Sequence, residues 1–478
     1  MSFALYSGHG RFRCDRGSPA RWFSAEKVVV PVAAPVPFTT RPSSSLGLYA
    51  WQADALNAWE RRGGRGVVEA VTGAGKTMVG VAAVLDEIGR RGQALVLVPT
   101  VELQHQWAAE LDRRIPDGVG VGRMGAGAGD SLATHDVLVA VINTARSLDV
   151  QPIRQGGLLV ADECHRYGSA VNRLGLDHRF RRRLGLSATY ARDDDGNLAW
   201  LDPYFGGNCF RLGYARAVGD GVTAPFTVTM VGVRFSPVEQ ECYDELTDLM
   251  AQLRARLIRE ARVTPEPFDA FIREVTMLAD QEGPGSGVAR AYRQAMLERR
   301  RLLADTPAKD AALAFVAPAA RDADRTIVFT QSIATSERAA LVLGRYGLRA
   351  GVMHSSLASK VRRETLRQFA AGELPVLSAP RVLDEGIDVP AADLAIIVGA
   401  SRSRRQMIQR MGRVLRRKPD GRRARFAVIF VEGTVEDPRR GAHEAFLDEI
   451  VDVADRVSYF PTADMVDSPE AVVAALRP

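Results

Sequence analysis

The amino-acid sequence predicts an α/β protein of two doubly wound parallel-sheet domains with a helical segment between them. Three observations predict it. Short, unbroken apolar runs alternate with helical patterns from about residue 46 to 232. The alternation stops between about 236 and 308, where long charged amphipathic patterns take over. It resumes from about 309 to 440. Strands covered on both faces read as continuous apolar runs, and joining them in parallel requires helical crossovers. The 478 residues suffice for two or three domains with separate cores.

Residues 1–45 are rich in Pro, Ser and Arg and read as an arm of undefined role, with room for one strand in KVVVPVAAPVPF. The first domain, 46–235, has strand runs GVVEA (66–70), ALVLVP (94–99), DVLVAVI (136–142), GLLVAD (157–162) and RLGLSA (183–188). Two charged helices fill the segment 236–308, split by the Gly/Pro break QEGPGSG (281–287). The second domain, 309–440, has runs TIVFT (326–330), GVMH (351–354), PVLSA (375–379), AIIVGA (395–400) and FAVIFV (426–431). Residues 441–478 read as a helical tail with acidic patches. Two α/β domains joined in this way make a cleft.

Composition narrows the function classes. Hydrophobic content of 46% with 25% charged residues is that of a globular chain. No apolar run approaches the roughly 20 residues of a membrane span. The start, MSFALYSGHGRFRCDRG, lacks a secretory pattern, which points to the cytoplasm and to no membrane partner. Cys14, Cys164, Cys209 and Cys242 show no Cys-x-x-Cys spacing, so neither a zinc knuckle nor a disulfide framework is indicated. The net charge of +6 suits a polyanionic partner. Only five lysines stand among the 63 basic residues, and one of them is Lys76.

Lys76 lies in GVVEAVTGAGKTMVG (66–80), where a strand becomes a helix. Glycines let main-chain N–H groups approach an anion, and a helix N-terminus adds its dipole. Thr72, Gly73, Ala74, Gly75, Lys76 and Thr77 form a candidate phosphate cradle. Lys76 would reach the terminal phosphates, and the Thr77 hydroxyl would face magnesium. The strict pattern has Gly at the position of Ala70, and an ordinary glycine turn would account for the glycines alone. A nucleotide site also needs an acidic partner at a neighbouring strand end. LLVADECHR supplies it: Asp162 would hold magnesium, and Glu163 would position or deprotonate the attacking water. Cys164-His165 also suggests metal binding, but no second pair is nearby, so a contact between His165 and the neighbouring blocks is expected instead.

Asp162-Glu163-Cys164-His165 resembles the acidic box of superfamily 2 helicases, and further blocks follow in that family's order across about residues 46–440. They are LYAWQADAL, LVLVPTVELQHQW, VINTA, LSAT, VFTQS, HSSLASKVRRETLRQFAAGELPVL, VLDEGIDVP and QRMGRVLRR. The style of VLVPTVELQHQW, DECH, LGLSATYARDDDG and QRMGRVLRRK is similar to the XPB-like branch, with Arg192-Asp193-Asp194 in place of its Arg-Glu-Asp element. The resemblance implies two RecA-like domains hydrolysing ATP with Mg2+ between them. It places Gln52 at the adenine edge, and Gly386 and Asp388 on the nucleotide from the second domain. It places Pro99, Thr100, Thr144, His354 and Arg381 at the nucleic-acid backbone. It makes Ser187-Ala188-Thr189 the element coupling hydrolysis to domain movement.

Gln409, Arg413 and Arg416 fall three or four residues apart and would share one helix face toward the cleft. Arg413 and Arg416 would act as arginine fingers and Gln409 would orient water. A basic helix face bound to solvent or nucleic acid is the alternative for this stretch. The expected function is therefore an ATP-dependent helicase or translocase, with DNA favoured over RNA by the branch resemblance alone. Two other readings stay open. One is a nucleic-acid-gated ATPase clamp or sensor. The other is the motor subunit of a restriction, phage-defence or repair complex, partnered by a separate nuclease or repair factor.

Overall fold

The computed structural model describes residues 46–147, 156–192, 195–380, 392–399, 412, 414–418, 420–440, 450 and 453–477. The N-terminal arm, Asp193, Asp194, Arg381, Gly386, Asp388, Gln409 and Arg413 lie outside the described residues.

The first sheet has eight strands: β1 (Arg65–Ala70), β2 (Ala94–Val98), β3 (Val121–Gly125), β4 (Ala128–Gly129), β5 (Val137–Val141), β6 (Leu158–Ala161), β7 (Arg182–Ser187) and β8 (Asn208–Leu212). Their order is β4-β3-β5-β2-β6-β7-β1-β8, and every pairing except β3 with β4 is parallel. β2, β5 and β6 are buried along their whole length, as their unbroken apolar runs require. Helices α1 (Ala50–Arg61), α2 (Lys76–Gly89) and α3 (Val101–Asp112) cover this sheet. Trp59 of α1 is fully buried and its Nε1 donates to the Arg183 carbonyl at 3.0 Å, tying α1 to β7.

The second sheet has seven strands, all parallel, in the order β11-β12-β10-β13-β14-β9-β15. They are β9 (Phe226–Val233), β10 (Thr326–Phe329), β11 (Ala350–Val352), β12 (Val376–Ala379), β13 (Leu394–Val398), β14 (Ala424–Val431) and β15 (Arg456–Phe460). Two features differ from the organisation read in the sequence. β9 falls before residue 235, yet it pairs with β14 in eight-residue register, from Ala424↔Phe226 to Val431↔Val233. The stretch after 441 contributes β15 on the other edge of β9, and Phe460, Val472 and Leu476 join the second core. Pairing with β14 on one side and β15 on the other satisfies the main-chain groups along both edges of β9.

The helical segment consequently leaves and re-enters the same sheet, between β9 and β10. It holds three helices, Pro237–Glu260, Phe268–Ala279 and Ser286–Asp305, where the sequence pattern shows two. Ser236 starts the first with a capping box: its hydroxyl accepts from the Glu239 N–H while the Glu239 carboxylate accepts from the Ser236 N–H. The three helices enclose a core of their own, including Leu253, Leu257, Phe271, Val275 and Tyr292.

One buried ion pair ties the second domain together. Lys309, in the first turn of the helix Pro307–Arg321, is fully buried and reaches Glu436 Oε2 at 2.6 Å; the Val431 N–H donates to the same oxygen. Removing one partner strands a charge in the core, so Glu436→Ala should lower unfolding stability by about 3–5 kcal/mol. Joint replacement by Lys309→Met and Glu436→Leu should cost far less. Urea melts of both variants check this; equal losses would show that packing, not charge burial, sets the cost.

Candidate nucleotide site

The carboxyl ends of β1, β2, β6 and β7 lie along one edge of the first sheet, held by registers such as Glu69↔Ser187, Ala161↔Gly185 and Leu97↔Ala161. Ligands of parallel sheets bind at this edge. The cradle, the Pro99-Thr100 block, the acidic turn and Ala188-Thr189 follow β1, β2, β6 and β7 in turn.

After β1 the chain turns through the residues of the candidate cradle. Gly73 and Gly75 have φ of +84° and +87°, left-handed values that favour glycine, and Gly75 caps α2 with no side-chain acceptor. The N-terminus of α2 therefore keeps its capacity for an anion. Lys76 is 9% exposed, and its Nζ donates to the Ala70 carbonyl at 3.0 Å, back across the loop. Thr72 Oγ1 is buried without a hydrogen-bond partner among the described residues. An orphaned hydroxyl, an uncapped helix start and a single held ammonium fit a phosphate chain with its magnesium. Gln52, 2% exposed, donates through Nε2 to the Gly75 carbonyl at 2.9 Å and accepts from the Tyr49 N–H at 2.8 Å. In this arrangement its carboxamide braces the cradle from behind.

After β6, Asp162 is held from two sides. Trp107 Nε1 donates to Oδ2 at 2.8 Å and the Glu163 N–H donates to Oδ1 at 2.9 Å. Burial pushes the Asp162 carboxyl up, while the Trp107 bond, the Lys76 ammonium and the Glu163 N–H pull it back. Glu163 takes φ of +48°, uncommon for a side chain of its size, and this turns its carboxylate away from the strand direction. Glu163 Oε2 lies 3.4 Å from His165 Nδ1, which is 3.0 Å from Ser187 Oγ. Ser187 Oγ donates to the Thr189 carbonyl at 2.8 Å. His165 thus joins the acidic turn to Ser187-Ala188-Thr189, the kind of contact the sequence led us to expect. Cys164 is buried and its thiol is pushed well up by that burial. Among the described residues no group of His, Cys, Asp and Glu could hold a metal by itself.

The second domain reaches the cradle through Gly412 and Arg416. A Cβ on Gly412 would overlap the Thr72 side chain, and one on Gly73 would stand 2.8 Å from the Gly412 carbonyl and 3.3 Å from Arg416 Cγ. One expectation fails here. Arg416 does not continue a helix face: it forms an antiparallel bridge with Thr223, and the Leu415 carbonyl accepts from the Ala224 N–H at 2.8 Å. Main-chain pairing with the segment before β9 leaves no helix beyond Val414, yet places Arg416 beside the phosphate loop.

The residues assigned to the nucleic-acid backbone are more scattered. Pro99 and Thr100 are half-buried after β2, and Thr100 Oγ1 caps α3 by accepting from the Leu103 N–H at 3.3 Å. Thr144 is half-buried, with Oγ1 2.9 Å from where a Cβ on Gly125 would stand. His354 is buried, and its Nδ1 has no hydrogen-bond partner among the described residues. Arg192 donates to the His165 carbonyl, so it folds over the acidic turn. Trp107 carried no assigned role in the sequence; its one signal is an aromatic donor on α3 two turns after Thr100.

Two parallel-sheet domains with a phosphate loop and an acidic strand end define a RecA-like nucleotide-binding ATPase fold. Comparison with known proteins agrees. Residues 45–192 match the type III restriction enzyme res subunit family, and residues 309–418 match the helicase conserved C-terminal domain. The chain is 30% identical over 397 residues to a Halobacterium salinarum protein named for a DNA 3'-5' helicase, Rad25, covering 82% of this chain and 55% of that one. It is 29% identical over 436 residues to the DNA 3'-5' helicase XPB of Kineococcus radiotolerans, covering 88% and 67%. It therefore spans between about half and two thirds of these relatives' lengths. In fold it is similar to Saccharomyces cerevisiae Dbp5 bound to RNA and ADP BeF3, with a TM-score of 0.56, 14% identity and coverage of 90% and 94%. Over most of its length the chain is similar to superfamily 2 helicases of the XPB-like branch.

Proposed function

We propose that the chain is an ATP-driven helicase or translocase acting on DNA, moving in the 3'-5' direction named for its relatives. The observation that carries this is the approach of Gly412 and Arg416, from the second domain, to Thr72 and Gly73 of the cradle. Contact between the two domains at the phosphates makes a site that hydrolysis can open and close. Lys76 holds the terminal phosphates, Thr77 and Asp162 would bind Mg2+, and Glu163 positions and deprotonates the attacking water. Bound Mg2+ supplies charge neutralisation on the phosphate oxygens. Gln52 fixes the cradle beside the adenine side. Gly386, Asp388, Gln409, Arg413 and Arg416 complete the site from the second domain. Pro99, Thr100, Thr144, His354 and Arg381 meet the strand. A nuclease or repair factor would be a separate partner. We place the action in the cytoplasm, where ATP is supplied and the buried Cys164 thiol stays reduced.

ATP turnover titrated with single-stranded, duplex and forked DNA, and with RNA, tests the reading. Stimulation by DNA together with strand displacement supports it. Stimulation without displacement on any substrate leaves a translocase or a clamp, which a triplex-displacement assay separates. Arg416 provides a sharper check. A finger meets two phosphate oxygens with its planar guanidinium, so Arg416→Lys should lose almost as much turnover as Arg416→Ala, on the order of 10³-fold. A strand-binding arginine would tolerate lysine, and its defect would shrink at low salt.

A further inference from the structure

Trp107 is fully buried at the junction of three elements that carry the site. Its Nε1 donates to Asp162 Oδ2 at 2.8 Å, at the end of β6. Its six-membered ring lies against Gly80 of α2, the helix that leaves the phosphate cradle, so closely that a Cβ there would overlap Cη2. Leu186 of β7, one residue before Ser187, packs against the same point. Glycine at position 80 leaves room for the indole, whose Nε1 reaches Asp162 from its buried position. Tryptophan's N–H is a donor with no competing acceptor role.

Trp107 belongs to α3, whose N-terminus is the other half of the argument. Thr100 caps this helix, next to Pro99, at the block assigned to the nucleic-acid backbone. Two turns, roughly 10 Å of helix, separate Thr100 from Trp107. Between them Gln104, 1% exposed, donates to the Met124 and Val139 carbonyls at 2.8 and 2.9 Å, which fixes α3 to β3 and β5. The strand-contact end, the sheet and the carboxylate are thus linked through two buried side chains of α3, Gln104 and Trp107.

We propose that Trp107 is a positioning residue that sets the Asp162 carboxylate for magnesium and ties its placement to strand contact at the start of α3. The proposal rests on the motor reading above, because it needs Asp162 to be the metal-binding carboxylate and Thr100 to meet the strand. Without the Nε1 bond, Asp162 can rotate within its pocket, and nothing links its orientation to α3. The coupling is reciprocal by linkage: a strand that orders α3 raises the affinity for the metal–nucleotide complex, and that complex raises affinity for the strand.

Two variants attack the bond from opposite sides. Trp107→Phe removes the donor while keeping an aromatic ring, and Gly80→Ala presses the indole away from Asp162. Leu111→Val, in the same buried face of α3 one turn further on, is the control for lost packing. The measurement is equilibrium binding of a fluorescent ATP analogue, in Mg2+ and in EDTA, with and without a single-stranded DNA oligonucleotide. Hydrogen bonds to charged groups are worth about tenfold or more in affinity. Trp107→Phe and Gly80→Ala should therefore bind the analogue about tenfold more weakly in Mg2+ and within about twofold of wild type in EDTA. The gain in affinity on adding DNA should shrink in both. Leu111→Val should keep the wild-type ratio between Mg2+ and EDTA even where its melting temperature falls. If both donor-side variants lose affinity equally in Mg2+ and EDTA, or match Leu111→Val, Trp107 is packing alone and the proposal is overturned. Wild-type protein that binds the analogue no better in Mg2+ than in EDTA would instead overturn the metal assignment of Asp162.

Discussion

Lys76→Ala is expected to bring ATP turnover down to background, with DNA present or absent. The ammonium is the single mobile cation of the cradle, 9% exposed and held across the loop by the Ala70 carbonyl. Held there, it would reach the terminal phosphates of a bound nucleotide with little reorganisation, which is how preorganised charge lowers a barrier. Loss of one such donor costs on the order of 10²–10³-fold, and here no neighbouring lysine can take over. The other four lysines of the chain stand at 27, 309, 360 and 418. Of these, Lys309 is locked to Glu436 and Lys418 Nζ donates to the Val414 carbonyl at 2.9 Å. The variant should fold normally, because Lys76 Nζ makes a single main-chain hydrogen bond, to the Ala70 carbonyl. A thermal melt confirms the fold, and a phosphate-release assay gives the rate. Near-wild-type release by a folded Lys76→Ala protein would remove the cradle from 72–77.

The cradle and the acidic turn were legible from sequence because their chemistry restricts residue type at each step. Positive φ at Gly73 and Gly75 favours glycine, and a nucleotide bound there would need a long cation at 76 and an acid at the end of a neighbouring strand. The buried strands β2, β5 and β6 were legible for a different reason: both faces are covered, so no polar residue interrupts them. Edge and half-covered strands gave less. β3 reads VGRMG and β8 reads NCFRL, each with exposed polar residues that break the apolar run. β15, at a sheet edge, has four half-buried residues of five.

β9 was hidden by topology rather than composition. FTVTMVGV is an evident strand, but nothing local says that its partners lie some two hundred residues on, at β14 and β15. The helix Phe268–Ala279 was lost because it is short and its neighbours Pro267 and QEGPGSG read as breaks. Arg416 shows the limit of periodicity. Spacing of three and four predicts a shared face only while the helix lasts, and the pairing of 415–416 with 223–224 ends it first. Trp107 was invisible as a site residue, since a buried tryptophan on a helix face is ordinarily core. Its role rests on the direction of one N–H, which only the folded geometry reveals.

Glu163→Gln separates binding from chemistry and yields the second large effect. The amide is nearly isosteric, so the turn with its left-handed residue 163 should persist, and the main-chain N–H to Asp162 Oδ1 is untouched. Asp162, Thr77 and Lys76 remain to hold metal and phosphates, so ATP affinity in Mg2+ should stay within a few-fold of wild type. An amide cannot accept a proton from water, and general-base loss costs on the order of 10²–10⁴-fold in turnover. The closed arrangement, with Gly412 on Thr72 and Arg416 beside Gly73, should then be trapped with ATP in place. In that state both domains grip the strand together. DNA affinity measured by anisotropy should accordingly rise when ATP is added to Glu163→Gln, and ADP should not reproduce the rise. His165 sits 3.4 Å from the Glu163 carboxylate and touches Ser187, so the variant also loses a charge at the link to that element. His165→Ala distinguishes the two effects: it should weaken the ATP-dependent gain in DNA affinity while leaving more hydrolysis than Glu163→Gln does. If ATP leaves the DNA affinity of Glu163→Gln unchanged, the two domains do not close on the strand through this nucleotide site, and the clamp and motor readings fall together.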